Sequence, residues 1–127
     1  MYKILIAEDD RDIRSIVQDI LEANSFKTVI AMDGKEALEL VRKEKPDLLI
    51  LDLSMPEVDG WQVAQALRKD PSTKTLPLLA LTAHTMAGDR ERAIKVGCDS
   101  FLAKPFDPDD LLIAVHQLLE KRPPDKA

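Results

Sequence analysis

Four short apolar runs, Ile4-Leu5-Ile6-Ala7, Leu48-Leu49-Ile50-Leu51, Leu78-Leu79-Ala80-Leu81 and Phe101-Leu102-Ala103, each stop at polar residues: Glu8 with Asp9, then Asp52, Thr82 and Lys104. A fifth short strand reads at Thr28-Val29-Ile30-Ala31. Between the runs the apolar residues recur at helical spacing. Strict alternation of strand and helix periods is the pattern of a parallel sheet with crossover helices on both faces. In such a sheet ligands bind at the carboxyl edge, where the five polar side chains would converge. Three carboxylates in one crevice repel, by about 4 kcal/mol for a pair ~4 Å apart at an effective dielectric of 20, and a divalent cation is the obvious compensator.

The helices follow from the same spacing. Ile13, Ile16, Val17, Ile20 and Leu21 form one stripe, opposite Arg11, Arg14, Gln18 and Glu22;. Asp33 with Glu36 caps a second helix carrying Ala37, Leu38 and Val41, and Pro46 separates it from the next strand;. Asp59 can cap a third through Val63, Ala64 and Leu67, closed by Asp70-Pro71-Ser72;. A fourth, Gly88 to Val96, has thin apolar content, chiefly Ala93, Ile94 and Val96, and stops at Gly97;. Weak anchoring makes it a candidate for movement or partner contact. Asp107, Pro108 and two acids open the fifth, with Leu111, Leu112, Val115, Leu118 and Leu119 inward;.

A chain of 127 residues suits one domain;. The expected limits are 1–121 for the domain and 122–127 for a tail. No apolar run approaches the ~20 residues of a membrane span, and the start leads straight into a strand, so a cytoplasmic protein is expected. A net charge of −5 argues against gripping a nucleic-acid backbone;. Cys98 is the sole cysteine, which excludes an internal disulfide;.

Magnesium binds through one or two carboxylates while keeping waters and phosphate oxygens. Asp9 and Asp52, with Glu8 directly or through water, supply such a set. A carboxylate is also a nucleophile toward phosphorus. Lys104 would then pair with the phosphoryl group, and the Thr82 hydroxyl would donate to it. Each residue has a plainer reading: Glu8 and Asp9 as caps of the first helix, Asp52 as a capping carboxylate, Lys104 as a solvated cation. Their conjunction carries the argument.

The stretches Ile4 to Asp10, Leu49 to Gly60, Ala80 to Ala83 and Gly97 to Phe106 resemble the receiver domain of two-component response regulators, of the single-domain chemotaxis type. The resemblance implies a flavodoxin-like five-stranded α/β sheet in the order 2-1-3-4-5, with five helices on both faces. It implies that Asp52 takes a phosphoryl group from a phosphohistidine on a histidine kinase or phosphotransfer protein. Magnesium, with manganese as the alternative, would be held by Asp9, Asp52 and the Ser54 backbone carbonyl beside Glu8. Lys104, Thr82 and the adjoining Ala83 would attend the phosphoryl group, and the bond to Pro105 would be cis. Thr82 and Phe101 would switch the face made by the fourth helix, fifth strand and fifth helix, which meets a downstream protein. Ser54 and His84 would tune the phosphoryl lifetime. Such a domain is a signalling phosphoacceptor that promotes its own phosphorylation and dephosphorylation, not an enzyme with a separate substrate.

Rival classes fit less well. A haloacid-dehalogenase-type phosphatase would need an aspartate at position 54, which is serine, and a flavin carrier would need a Ser/Thr/Gly-rich loop where Glu8, Asp9 and Asp10 stand. A partner-binding pseudo-receiver would lack one of the acidic or lysine positions. The chain reads either as a stand-alone regulator or as the receiver segment of a hybrid kinase. Arg90, Arg92 and Lys95 suggest a basic partner-facing patch, while His116 reads as surface.

Overall fold

The computed structural model describes residues 2–53, 60–82 and 89–120, with the side chains of residues 89 and 90 outside that description. Strands β1 (Lys3–Ala7), β2 (Lys27–Ala31), β3 (Leu48–Asp52), β4 (Leu78–Thr82) and β5 (Ser100–Ala103) alternate with helices α1 (Arg11–Ala23), α2 (Gly34–Glu44), α3 (Gly60–Lys69), α4 (Asp89–Lys95) and α5 (Pro108–Glu120). The strands form one sheet in the order β2-β1-β3-β4-β5, parallel throughout, as the sequence predicts. Where the tail begins lies beyond the described residues.

Alternation along each strand divides the core into two layers. Leu5, Ala7, Leu49, Leu51, Leu78 and Ala80 face α2, α3 and α4, while Ile4, Ile6, Leu48, Ile50, Leu79 and Leu81 face α1 and α5. Every residue of β3 and β4 is buried, so both strands read as unbroken apolar runs;. No helix among the described residues is long and apolar enough to cross a membrane.

Local signals act as anticipated at three helix ends. Asp33 Oδ1 accepts from Glu36 N at 2.8 Å, and Glu36 Oε1 returns to Met32 N at 3.0 Å;. Asp107 Oδ1 accepts from Asp109 N at 3.0 Å before Pro108 sets the first turn of α5;. Gly97 adopts φ +110° just past α4, and Cys98 N closes the end on Ala93 O at 2.9 Å;. Asp59, the expected cap of α3, lies outside the described residues.

One face is corrected. Ile16 was expected to point inward with Val17 and Leu21; it is 52 % exposed, whereas those two are fully buried. The stripe on α1 is wider than the surface it covers. Ile16 sits on its flank and, with Ile13, Pro105 and Phe106, lines an apolar hollow that reaches Lys104.

Candidate functional site

Register brings the polar residues together. Asp52 is the last residue of β3 and Thr82 of β4; Glu8 follows β1 and Lys104 follows β5. Backbone bonds continue the ladders into the crevice: Glu8 N donates to Ala31 O, Leu53 N to Leu81 O and Lys104 N to Thr82 O, at 3.2, 3.0 and 2.8 Å. Glu8, Asp52 and Thr82 are buried while Asp9 is exposed.

The plainer readings of three residues fail on this geometry. The cap of α1 is Asp10, whose side chain accepts from Asp12 N and Ile13 N. That leaves Glu8 and Asp9 without a capping duty. Lys104 is not solvated: its side chain is 12 % exposed, and Nζ stands 2.6 Å from Glu8 Oε1 and 3.3 Å from Asp52 Oδ1. Burial alone would lower its pKa, but Glu8 and Asp52 outweigh that and hold it above the ordinary lysine value;.

Glu8 carries the electrostatic conflict. Burial, then the neighbouring Asp52 carboxyl, push its pKa up to about 7, against the opposing pull of Lys104 and of the Asp10 N–H;. Its Oε2 accepts from Asp10 N at 3.1 Å. Its Oε1 is buried with the Lys104 ammonium as its ion-pair partner at 2.6 Å. One lysine shared by Glu8 and Asp52, with Asp9 beside them, leaves the three carboxylates short of positive charge, and a hard cation supplies it;. Glu8, Asp9 and Asp52 each offer an oxygen, all within 4.8 Å of one another. Three carboxylate oxygens are the hard donors that magnesium takes, so the residues present fit that ion;.

The remaining expected site residues divide. The Lys104-Pro105 bond is cis. Phe101 is half-buried against the layer formed by α2, α3 and α4. Ser54, Ala83 and His84 lie outside the described residues. Cys98 is buried, and desolvation pushes its thiol up to about 11, so it is an inert core thiol;. His116 is exposed and leans on the Phe26 ring at 5.5 Å between centroids.

Two structural residues escaped the sequence reading. Arg68, in the last turn of α3, donates to Gly97 O, Lys74 O and Leu76 O at 2.8, 2.9 and 2.8 Å and pairs with Asp99 at 2.9 Å. Gly60 packs so closely beneath the crevice that a Cβ there would lie 2.4 Å from Asp52 O and 2.5 Å from Leu53 Cα. The expected basic patch is also altered, because the Arg92 guanidinium lies 4.2 Å from the centre of the Trp61 ring.

A sheet of this order with an acidic trio, a threonine and a lysine on its carboxyl edge defines a receiver class of protein. The response regulator receiver domain family model matches residues 4–116, and the chain belongs to that family. It is 42 % identical over 120 residues to the response regulator Rre1 of Synechocystis sp., covering 94 % of this chain and 52 % of that protein. A 14.6 kDa protein of Leptolyngbya boryana is 39 % identical over 122 residues, covering 96 % and 93 %. The chain thus spans about half the length of Rre1 and nearly all of the second relative. Among solved structures, a putative response regulator of Chloroflexus aurantiacus superposes with a TM-score of 0.91 at 33 % identity, covering 94 % of this chain and 98 % of that one. The receiver domain of the sensor histidine kinase PA1611 of Pseudomonas aeruginosa, with magnesium coordinated in its active site cleft, gives 0.88 at 25 %, covering 94 % and 98 %.

Proposed function

We propose that Asp52 is a phosphoacceptor, taking a phosphoryl group from the phosphohistidine of a kinase or phosphotransfer protein and passing the change to a partner-binding face. The observation that carries this reading is the largely shielded Lys104 ammonium held between Asp52 and Glu8. A lysine fixed beside a nucleophilic carboxylate neutralises the incoming phosphoryl oxygens without reorganisation.

An Asp52 carboxylate oxygen bonds to phosphorus as the N–P bond of the donor breaks. The histidine departs as neutral imidazole when its other ring nitrogen carries a proton. Lys104 turns toward the transferred oxygens, and the Thr82 hydroxyl, at the end of the adjacent strand, donates to one of them;. Hydrolysis reverses the state: water attacks phosphorus, phosphate leaves and the carboxylate is restored. Magnesium held by Asp9 and Asp52 beside Glu8 would supply charge neutralisation on the attacking and transferred oxygens; the donor set here and the magnesium in the PA1611 receiver support that identity. The domain acts in the cytoplasm as a signalling element, and Thr82 with Phe101 relays the change to α4, β5 and α5.

The hollow of Ile13, Ile16, Pro105 and Phe106 adjoins Lys104 and would offer a protein donor an apolar seat at this edge. The test of the central reading is intact-mass spectrometry after incubation with acetyl phosphate and magnesium. Gain of one phosphoryl mass is expected in the wild type alone, and not with a chelator or in Asp52→Asn. Failure there, and again with a phosphorylated histidine-kinase donor, would refute it.

A further inference from the structure

α3 holds α4 at two places that differ in strength. Beyond the C-terminal end of α4, Arg68 grips Gly97 O at 2.8 Å and Asp99 at 2.9 Å, while the same guanidinium binds the carbonyls of Lys74 and Leu76. On the helix itself, Arg92 lies over the Trp61 ring, 4.2 Å from its centre. α4 has little else to hold it: of its described side chains Ala93 is buried, while Glu91, Arg92, Ile94 and Lys95 are exposed.

Trp61 is well placed to feel the reacting end. It follows Gly60, which is in tight contact with the Asp52 carbonyl, and α4 itself starts seven residues after Thr82. Opening the Arg68 contacts would strand several carbonyls. Opening the Arg92 contact strands nothing, because an exposed guanidinium is readily resolvated and a cation over an indole face is only weakly held at such a site. The strong end is therefore a hinge and the weak one a latch.

We propose that Arg92 on Trp61 is a latch that keeps α4 in its described position, and that α4 swings off it about the Arg68 end when Asp52 is phosphorylated. The inference rests on Asp52 being the phosphoacceptor. Arg92 and Trp61 are positioning residues, since neither touches a reacting atom. Because the latch favours the unphosphorylated arrangement, loosening it eases phosphorylation.

Trp61 is the sole tryptophan, so its emission reports the latch directly. Wild type, Arg92→Gln, Arg92→Lys and Asp52→Asn would be followed with magnesium and acetyl phosphate, reading Trp61 emission and intact mass in the same samples. In the wild type the emission should change in step with the mass gain. Arg92→Gln should begin with its emission shifted part of the way toward that of the phosphorylated protein and gain mass about two- to five-fold faster, with Arg92→Lys in between. A merely structural Arg92 would move the unfolding midpoint and leave that rate alone. Equal rates in wild type and Arg92→Gln, or a full mass gain with unchanged wild-type emission, would overturn the latch while leaving the phosphoacceptor standing. No mass gain in the wild type from either acetyl phosphate or a phosphorylated kinase would remove both.

Discussion

Replacing Arg68 by alanine should weaken the domain more than any other change of a partly exposed charge described here. The side chain is 20 % exposed, and its three short bonds go to the backbone carbonyls of Gly97, Lys74 and Leu76. Each such bond contributes about 0.5–1.5 kcal/mol net. The pair with Asp99, whose side chain is 45 % exposed, adds no more than about 1 kcal/mol after solvent screening;. Water will reclaim the outer carbonyls once the guanidinium is gone, so the expected loss is about 2–4 kcal/mol rather than the full sum. With a urea slope of about 2 kcal/mol per molar, the midpoint should fall by about 1–2 M. Arg68→Lys keeps the charge but not the planar fork and should recover less than half of the loss. Hydrogen exchange localises the effect: Leu78 N, which donates to Asp99 Oδ2 at 2.8 Å, should exchange faster;. A loss under about 1 kcal/mol, or a lysine variant equal to wild type, would refute the view of Arg68 as the tie between the α3–β4 and α4–β5 connections.

Three further outcomes follow from the site. Glu8 holds its proton up to about pH 7 in the folded protein against an ordinary 4.5, so between those values the folded state binds more protons and stability falls as pH rises, by about 3 kcal/mol at most;. Urea midpoints measured in chelator from pH 4.5 to 8 should show this slope in wild type and lose it in Glu8→Gln; equal slopes would count against a buried, strained carboxylate. Gly60→Ala must push a methyl into the backbone of residues 52 and 53, and should cost about 2–3 kcal/mol by thermal unfolding and slow phosphorylation of Asp52;. Ile16→Glu should leave stability within about 0.5 kcal/mol and phosphorylation by acetyl phosphate unchanged, yet reduce transfer from a kinase at least about tenfold through a charge placed in the apolar hollow;. Equal loss with both donors would show that Ile16 acts on the crevice and not on docking.

The polar ends of the strands were legible because each interrupts an apolar run, and period alone places them on one edge. What period cannot resolve is an offset of a single residue. Glu8, Asp9 and Asp10 are three acids in a row, and only the turn into α1 makes Asp10 the cap and releases the other two. Ile16 misleads for a related reason: its spacing fits the stripe, but the width of the covering surface decides burial and is not written in the spacing. Arg68 has carbonyl partners in two loops, and main-chain acceptors leave no trace in side-chain pattern. Arg92 reads in the sequence as one of several surface cations, because its partner Trp61 stands on another helix and pairing between helices leaves no mark in the spacing of either.

Magnitudes limit what the latch can do. A switch driven from 1:99 to 99:1 requires about 5.5 kcal/mol of differential binding. An exposed cation over an aromatic face contributes about 0.5–1 kcal/mol. Arg92 on Trp61 can therefore set the starting balance but cannot hold the switch shut by itself. On the proposed function the larger share comes from the crevice, where Lys104 is paired with Glu8 and Asp52 and would exchange part of that pairing for phosphoryl oxygens. Charge-assisted bonds in a shielded site are roughly twice as strong as neutral ones, which would put the driving energy at Lys104 and Thr82 and leave α4 free to be adjusted by small contacts. A partner that binds the displaced helix adds to the same balance, so latch, phosphoryl group and partner act on one equilibrium, and a change in any one should appear as a matching change in the apparent strength of the other two.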